Sequence, residues 1–388
     1  MRSHLHDIQL FKSRVFLRAD LNVPLQGDRI LSDFRLEALR PTLDLLVKKG
    51  AKTCIATHLG RPKGFDASLS TKLLLPWFIQ KGYSVTCVST LQEAHSLKVA
   101  MQPGTFLLLE NLRFSKEEKD QFLLTTKAYA QSLKDLADYY VNDAWALMHK
   151  NDTSLTQVPL LFDQDKKTIG LLVQHELKGL KPLLNPPRPF VLILGGGKIS
   201  QKLPLIEQAL EVADSIIILP ALAFTFLKAQ GINVGKSLVD DALLEKASTI
   251  IIKAKQRGKE LHLPVDYTYG LEDNSSLETG TSIPSDRRGI AVGPESLKHF
   301  ENIIVQARSI LLNGTMGFFD HPNTLKPQKK LLQSIAQLDA YRVIGGGDSV
   351  AAVNLFNLGK DISFLSTGGG ATLKYILFRT IEGLSYLE

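Results

Sequence analysis

The sequence predicts an α/β protein built on parallel sheets. Short, continuously apolar runs alternate with segments of helical periodicity along the chain, and many of these runs end in loops rich in glycine or in cations. Continuous apolar runs are typical of strands covered on both faces, and the repeated order strand, loop, helix indicates βαβ units. Because 388 residues exceed one ordinary domain, we expect two domains.

The composition is that of a globular protein, with 44% hydrophobic and 22% charged residues, and the formal net charge is +7. The basic residues are dispersed and form no stripe with aromatic side chains, which favours a cleft for small polyanions over a nucleic-acid surface. The two cysteines, Cys54 and Cys87, lie in strand-like runs and predict buried thiols in a reducing compartment. Residues 1–9 lack the apolar core of a signal peptide, and the longest apolar run, residues 215–227, contains Pro220 and is too short to span a bilayer. We therefore expect a cytoplasmic protein without nucleic-acid or membrane partners.

The first half of the chain predicts five strands and three helices. We place the strands at residues 14–17, 52–56, 84–88, 105–109 and 139–141. The helices are predicted at 33–49, 72–81 and 119–133. Gly50 is a fitting C-terminal stop for the first helix, and Pro41 marks either a kink in that helix or its true start.

Charged and polar side chains follow these strands. They are Arg18, Asp20, Asn22, His58, Arg61, Arg113, His149 and Lys150, with Arg35 shortly before its helix. In a doubly wound sheet the strand ends share one edge, and cations that converge there repel one another unless an anion lies among them. Arginine suits such a site because its planar fork pairs with carboxylate or phosphate oxygens. Any one of these residues alone is more commonly a solvated side chain or a turn cap, but their repeated placement predicts a site for a small acidic molecule.

A helix at residues 168–184 is predicted to join the two halves, and the proline-rich stretch 185–189 ends it. The second half alternates in the same way. Strands are predicted at 190–194, 215–219, 261–265 and 309–312, and helices at 224–230, 240–257 and 329–338.

Three runs of three glycines, at residues 195–197, 345–347 and 368–370, each follow an apolar run in the second half. Such turns bring backbone N–H groups close to an oxyanion, and a following helix N-terminus adds partial positive charge. Lys198 and Lys202 lie four residues apart, on one face of a helix. The pattern is neither a P-loop nor a dinucleotide fingerprint, and a single turn of this kind could be a plain strand–helix connection with solvated lysines. Its repetition predicts a polyphosphate site.

Together these motifs resemble the phosphoglycerate kinase family along nearly the whole chain. The matching stretches are Arg18-Ala19-Asp20-Leu21-Asn22-Val23-Pro24, His58-Leu59-Gly60-Arg61-Pro62, Glu110-Asn111-Leu112-Arg113-Phe114, Asn142-Asp143-Ala144, Gly195-Gly196-Gly197-Lys198 through Lys202, Asn313-Gly314 with Met316-Gly317, Gly345-Gly346-Gly347-Asp348, and Ser366-Thr367-Gly368-Gly369-Gly370-Ala371.

The resemblance implies two Rossmann-like domains, each a parallel sheet flanked by helices, that face each other across a hinged cleft. Residues 1–167 would bind phosphoglycerate, 168–184 would form the interdomain helix, 185–370 would bind the nucleotide, and 371–388 would return to the N-terminal domain. The implied reaction is reversible, Mg²⁺-dependent phosphoryl transfer between ATP and the carboxylate of 3-phosphoglycerate, which yields ADP and 1,3-bisphosphoglycerate. The family also implies a monomer.

The resemblance assigns roles to individual residues. Phosphoglycerate would be bound by Asp20, Asn22, Arg35, His58, Arg61, Arg113 and Lys150. Catalysis would involve Arg35, Lys198, Gly346 and Gly369. The nucleotide would be held by Lys202, Gly289, Asn313, Asp320, Gly346, Gly347, Asp348 and Ser349, with Asp348 also binding Mg²⁺.

Several positions depart from the family pattern. Lys150 stands where the family usually has arginine, which predicts weaker phosphoglycerate binding because lysine lacks the bidentate fork. The other departures gather on the nucleotide side and predict altered nucleotide affinity or base preference. They are Leu219-Pro220-Ala221 for three glycines, Ala291 for an acidic residue, Thr315 for proline, and Asp320 for glutamate. Two alternatives follow from these departures: a catalytically weak descendant that binds phosphoglycerate or nucleotide as a sensor or scaffold, and a kinase for another carboxylic acid.

Overall fold

The computed structural model describes residues 4–120 and 122–388, so the parts of the predictions that fall on residues 1–3 and 121 lie outside the described residues. The chain divides into two compact units. Unit 1 is Met1–Lys178 with Thr380–Glu388, and unit 2 is Gly179–Arg379. Each unit contains a six-stranded parallel sheet flanked by helices, which confirms the predicted α/β class with two parallel sheets.

Unit 1 follows the predicted alternation of strands and helices. Its strands are β1 (Arg14–Ala19), β2 (Leu25–Gln26), β3 (Arg29–Ile30), β4 (Lys52–Ala56), β5 (Val85–Val88), β6 (Phe106–Leu109), β7 (Tyr139–Asp143) and β8 (Lys167–Ile169). Its helices are α1 (Phe34–Lys48), α2 (Leu75–Gln80), α3 (Leu91–Leu97), α4 (Thr126–Lys134), α5 (Thr153–Thr156) and α6 (Leu171–Leu180), of which α6 extends into unit 2. The sheet order is β5-β6-β4-β1-β7-β8, and β2 and β3 form a separate antiparallel ribbon.

Three features of unit 1 differ from the sequence predictions. Helix α1 continues through Pro41, which is neither its start nor a break. The prediction of a helix from residue 119 is wrong, because α4 begins at Thr126 and a 3-10 turn at Lys116–Glu118 precedes it. The joining helix was predicted from residue 168, but Lys167–Ile169 is a buried edge strand and α6 begins only at Leu171.

Unit 2 contains a second parallel sheet and a small antiparallel one. Its strands are β9 (Phe190–Leu194), β10 (Ser215–Ile218), β11 (Glu260–His262), β12 (Tyr267–Gly270), β13 (Glu278–Gly280), β14 (Arg288–Val292), β15 (Ser309–Asn313), β16 (Tyr341–Gly345) and β17 (Phe364–Ser366). Its helices are α7 (Ile199–Val212), α8 (Leu222–Ala229), α9 (Leu244–Gln256), α10 (Pro294–Ile304), α11 (Lys326–Ala336), α12 (Gly347–Leu355) and α13 (Gly370–Phe378). The parallel sheet has the order β11-β10-β9-β15-β16-β17.

The antiparallel sheet β13-β12-β14 and helix α10 were not predicted. The three strands contain few branched apolar residues, and glycines interrupt them, so their sequence lacks the continuous apolar runs of the parallel strands. Tertiary packing stabilises this sheet instead, because Ile290, Ala291 and Val292 of β14 join the main hydrophobic core of unit 2.

The last residues of the chain belong to unit 1, where they form α14 (Glu382–Ser385). The Gly383 N–H donates to the carbonyl of Met148 at 2.7 Å. The side chain of Gln164 donates to the Leu387 carbonyl at 2.8 Å. Within the described ranges, no helix is long and apolar enough to cross a bilayer.

Candidate active site

The carboxyl ends of the central strands of unit 1 bring several predicted site residues into direct contact. Asp20, directly after β1, is 5% exposed and pairs with Arg35 at the start of α1, with Arg35 Nη1 2.5 Å from Asp20 Oδ2. The side chain of Asn22 accepts a hydrogen bond of 2.8 Å from the backbone N–H of Gly60. Arg113 Nη1 in turn donates to the Gly60 carbonyl at 2.8 Å. These contacts connect the loops after β1, β4 and β6 at one edge of the sheet.

His58 lies among these cations and is almost completely buried, with 1% exposure. Its Nδ1 has no hydrogen-bond partner within the described residues. Burial lowers the pKa of His58 well below its ordinary value, and the positive charges of Arg18, Arg113, Arg35 and Lys119 lower it further. The imidazole is therefore neutral at physiological pH, so it can exchange a hydrogen bond with a ligand but contributes no charge.

Arg61 and Lys150 complete the predicted set in unit 1. Arg61 is exposed and Lys150 is half-buried. Burial lowers the pKa of the Lys150 amine, and the nearby charges of Lys119, Arg61 and Arg113 add to this shift while Asp152 opposes it. These shared electrostatic effects place Lys150 in the same cation cluster as Arg61 and Arg113.

Arg18 also belongs to the predicted set of cations, but its side chain points into the interior of unit 1. Its side chain is completely buried, Nη2 lies 3.6 Å from Glu118 Oε1, and Nε donates to Ser154 Oγ at 2.7 Å. Ser154 Oγ also donates to Glu118 Oε1 at 2.6 Å. Arg18 therefore lies in the interior behind the site, where it contacts Glu118 and Ser154, and its guanidinium is not exposed to solvent.

The sequence reasoning missed two further residues of this edge, Lys119 and Asp152. The Asp152 carboxylate is completely buried and contacts both Lys119 and the predicted residue Arg113. Nothing in the sequence distinguishes Lys119 from other solvated lysines, because it lies in a charged loop between Arg113 and α4. Asp152 follows Lys150 closely in the sequence, but its inward direction depends on the turn that leads into α5.

In unit 2, the glycine turns lie beside one another because β9, β15, β16 and β17 are neighbours in the sheet. The Gly195 N–H donates to the Asn313 carbonyl at 3.1 Å, and Asn313 Nδ2 donates to the Gly345 carbonyl at 2.8 Å. Gly314 N–H donates to Ser349 Oγ at 2.8 Å. Gly346 and Gly369 cap the N-termini of α12 and α13, and the two turns are adjacent, since a side chain on Gly346 would lie about 3.6 Å from the Gly369 Cα.

Lysine and aspartate side chains border this glycine-rich edge. Lys202 in the first turn of α7 donates to the carbonyls of Gly195 and Asn313. Burial lowers the pKa of Lys202 to about 8, assisted by the charge of Lys198 and opposed by Asp348. Lys198 at the N-cap of α7 and Asp348 in the first turn of α12 are both exposed to solvent. The edge therefore combines three helix N-termini with two amines, an arrangement that favours a polyanion.

Gly289 lies in β14 of the antiparallel sheet, and Asp320 lies in the loop after β15. The Gly289 N–H donates to Ser237 Oγ at 2.8 Å, and the phenyl ring of Phe224 fills the space that a side chain at Gly289 would need. Asp320 is exposed and lines a cavity of about 620 Å³ between the β12–β13 hairpin and the loop that leads into α11. The Gly317 N–H donates to the Ile290 carbonyl at 3.2 Å, which connects the loop that carries Asp320 to the strand that carries Gly289.

A model of the phosphoglycerate kinase family matches residues 5–377. This chain belongs to the phosphoglycerate kinase family. The phosphoglycerate kinase of Nitratiruptor sp. is 36% identical over 383 residues, which cover 96% of this chain and 95% of the relative. The cytosolic phosphoglycerate kinase of Triticum aestivum is 37% identical and covers 99% of this chain and 97% of the relative. The solved structure of the Pyrococcus horikoshii phosphoglycerate kinase matches with a TM-score of 0.85 at 26% identity and covers 100% of this chain and 98% of that chain.

Membership of the phosphoglycerate kinase family confirms the resemblance inferred from the motifs and makes the protein an enzyme, a phosphotransferase. The comparisons support the kinase and favour neither the sensor nor the scaffold alternative. The roles of individual site residues stay predictions, and so do the domain boundaries.

At Leu219-Pro220-Ala221, the departure from the phosphoglycerate kinase pattern is mostly internal. Leu219 and Pro220 are buried, and Leu219 belongs to the main hydrophobic core of unit 2. Ala221 is half-buried and packs against the smaller cluster around Phe224, which also backs Gly289. Most of the extra bulk therefore fills the interior, and only Ala221 retains exposed surface at this point.

Proposed function

We propose that this protein is a phosphoglycerate kinase that transfers a phosphoryl group reversibly between ATP and the carboxylate of 3-phosphoglycerate. The observation that supports this most directly is the presence, in one chain of this family, of two complementary sheet edges. Unit 1 has a cation cluster suited to a small acidic molecule, and unit 2 has a glycine-rich edge with helix N-termini suited to a polyphosphate.

Phosphoglycerate would bind to the edge of unit 1. Arg61, Arg113 and Lys150 would neutralise its phosphate and carboxylate, and His58 would add a hydrogen bond as a neutral imidazole. Asp20 would orient Arg35 through their ion pair, which leaves the remaining N–H groups of the guanidinium for the substrate. Asn22 would fix the loop at Gly60, whose carbonyl also positions Arg113.

The nucleotide would bind to the edge of unit 2. Lys202, Asn313, Ser349 and the backbone of Gly346 and Gly347 surround the turns that would hold its phosphates. Gly289 and Asp320 would contact the base and the ribose, respectively.

Mg²⁺ fits this edge as the partner of the nucleotide. Magnesium is usually held by one or two carboxylates together with substrate phosphates and water, not by a protein cage. Asp348 supplies one exposed carboxylate in the first turn of α12. No group of three or more acidic, histidine or cysteine residues able to hold a metal is present in the part of the chain that the structure describes. When bound, Mg²⁺ would neutralise charge on the nucleotide phosphates.

The chemistry of transfer requires positioning and charge stabilisation from the protein and no general base, because the accepting carboxylate is already ionised. Arg35 and Lys198 would stabilise the negative charge of the transferred group. The backbone N–H groups that follow Gly346 and Gly369, at the start of α12 and α13, would add fixed dipoles.

A coupled assay of ATP-dependent phosphorylation of 3-phosphoglycerate tests the proposal. The wild-type protein should turn over with Mg²⁺, and Lys198→Ala should lose at least about a hundredfold in kcat. Lys360→Ala, which removes an exposed lysine elsewhere in unit 2, is the matched control and should keep full activity. A folded wild-type protein that turns over neither ATP nor GTP with 3-phosphoglycerate would support the binding-protein alternative instead.

A monomeric state and a cytoplasmic location are parts of this proposal as well. Light scattering coupled to size exclusion would test the first, since a mass well above 42.9 kDa would contradict it. Fractionation of the source cells would test the second.

A further inference from the structure

The carboxylate of Asp152 is shared by two cations at the edge of unit 1. Its side chain is completely buried, its Oδ1 lies 2.6 Å from Lys119 Nζ, and its Oδ2 lies 3.5 Å from Arg113 Nη2. One negative charge thus faces two positive charges, so a net positive charge remains. Burial would raise the pKa of Asp152, but the hydrogen bond from Lys119 and the charges of Arg18, Lys119 and Arg113 lower it, and the carboxylate stays ionised.

Lys119 lies close enough to the predicted phosphoglycerate site to act on it. Its positive charge contributes to the lowered pKa of both His58 and Lys150. It also shares the Asp152 carboxylate with Arg113, whose guanidinium contacts the loop after β4 through the Gly60 carbonyl. The Lys119 side chain is 51% exposed to solvent, whereas the Asp152 side chain that it contacts is completely buried.

The turn that carries Lys119 is firmly attached to the segment that carries Asp152. Glu118 is completely buried and accepts hydrogen bonds from the backbone N–H and the hydroxyl of Ser154. The Thr153 hydroxyl donates to the Glu117 carbonyl at 2.5 Å. These bonds hold the two residues directly before Lys119 against the two residues directly after Asp152.

We propose that Lys119 is a further anion-binding residue of this site, which binds an oxygen of the acidic substrate and pairs with Asp152. The inference rests on the proposed function, since it takes 3-phosphoglycerate as the anion. An ammonium has three donors, and the contact with Asp152 uses one of them. The other two donors can bind a phosphate or carboxylate oxygen while the contact with the buried Asp152 carboxylate is kept.

The opposing explanation is that Lys119 only neutralises the buried Asp152. In that case the loss of Lys119 would weaken phosphoglycerate binding only because it leaves the buried Asp152 carboxylate unpaired. The loss of Lys119 would then have no effect in a protein whose residue 152 carries no charge. The two explanations are distinguished by measuring the effect of Lys119→Gln in the wild-type protein and again in the Asp152→Asn background.

The measurements are the KM for 3-phosphoglycerate, the KM for ATP, and the Kd for 3-phosphoglycerate by calorimetry. Lys119→Gln should raise the KM and Kd for 3-phosphoglycerate about tenfold, because one charge-assisted hydrogen bond is lost, and should leave the KM for ATP unchanged. The same increase should be seen in the Asp152→Asn background. Lys119→Arg should restore most of the affinity, and Lys116→Gln, which removes an exposed lysine from the same turn, should have no effect.

Each contrary outcome has a defined meaning. If wild type binds 3-phosphoglycerate and Lys119→Gln binds it equally well, the inference is overturned and the proposed function stands. The inference is also overturned if the effect of Lys119→Gln disappears in the Asp152→Asn background. If wild type neither binds 3-phosphoglycerate nor turns it over, the proposed function fails and the inference fails with it.

Discussion

Nucleotide binding should weaken as the pH rises from about 7 to about 9, because the Lys202 amine loses its proton over this range. Burial lowers the pKa of this amine to about 8, and the neighbouring Lys198 contributes in the same direction. Only the protonated amine attracts a phosphate. The ordinary value for lysine is about 10.4, at which no change would be seen below about pH 9.

The size of the effect follows from the protonated fraction of Lys202 in the free protein. With a pKa of about 8, roughly nine-tenths of the molecules carry the charge at about pH 7 and roughly one-tenth at about pH 9. Binding through the charged form alone therefore loses about a factor of ten in affinity over this range. The sign would be the same for ATP and ADP, because both would present phosphates to the edge of unit 2 that is proposed to bind the nucleotide.

Calorimetric titration of ADP at about pH 7, 8 and 9 is the assay, with Lys202→Met as the matched variant of similar length. Lys202→Met should bind at least about tenfold more weakly at about pH 7 and should show no pH dependence over this range, so the two proteins converge as the pH rises. An equally steep decline in Lys202→Met would assign the titration to another group and refute the reasoning. A flat profile in the wild type would refute the lowered pKa itself.

Three further perturbations have outcomes that the structure specifies. Asp143→Ala should lower the free energy of unfolding by about 2–4 kcal/mol, because the buried carboxylate accepts hydrogen bonds from the Thr42 hydroxyl and from the backbone at the start of α6. An unchanged midpoint in urea denaturation would contradict this prediction. Gly314→Ala should weaken ADP binding at least about tenfold in calorimetry, because Gly314 has a φ of +116° and an added Cβ would collide with the Gly195 backbone. Wild-type affinity in this variant would show that the turn at Gly314 is not part of the nucleotide site. Asp348→Asn should raise the Mg²⁺ concentration for half-maximal turnover about tenfold, and EDTA should abolish turnover in the variant and in the wild type. The same Mg²⁺ dependence in the two proteins would show that Asp348 does not bind the metal.

The fold could be predicted where the sequence pattern and the burial agree. The strand Phe190–Leu194 was located to the residue, because it is apolar throughout and buried on both faces. The predictions of secondary structure failed where tertiary contacts determine the structure. The segment from residue 119 has helical composition, but α4 begins only at Thr126. The burial of Glu118 against Arg18 and Ser154 fixes the 3-10 turn Lys116–Glu118 directly before this segment. The antiparallel strands β12–β14 have no periodic pattern strong enough to be recognised.

The candidate site could be predicted where motif and strand end coincide, as for Asp20, Arg113 and Asn313. The direction in which a side chain points could not be predicted in the same way. Arg18 belongs to a motif but points into the interior, because Glu118, which is distant in the sequence, supplies its counter-charge. Lys119 was missed for the opposite reason, since it has no motif and its relevance depends on a shared contact with Asp152.

The attachment of α14 to unit 1 has a consequence for synthesis on the ribosome. The chain emerges from its N-terminus, so about 200 residues of unit 2 must follow before residues 380–388 are available. At about 5–20 residues per second, this delay is roughly 10–40 s. During that time the Met148 carbonyl lacks its partner at Gly383, and Lys167 lacks its partner at the Tyr386 carbonyl. The unit that begins first is thus completed last, and nascent chains halted before residue 380 should be cleaved by protease within unit 1 faster than released chains.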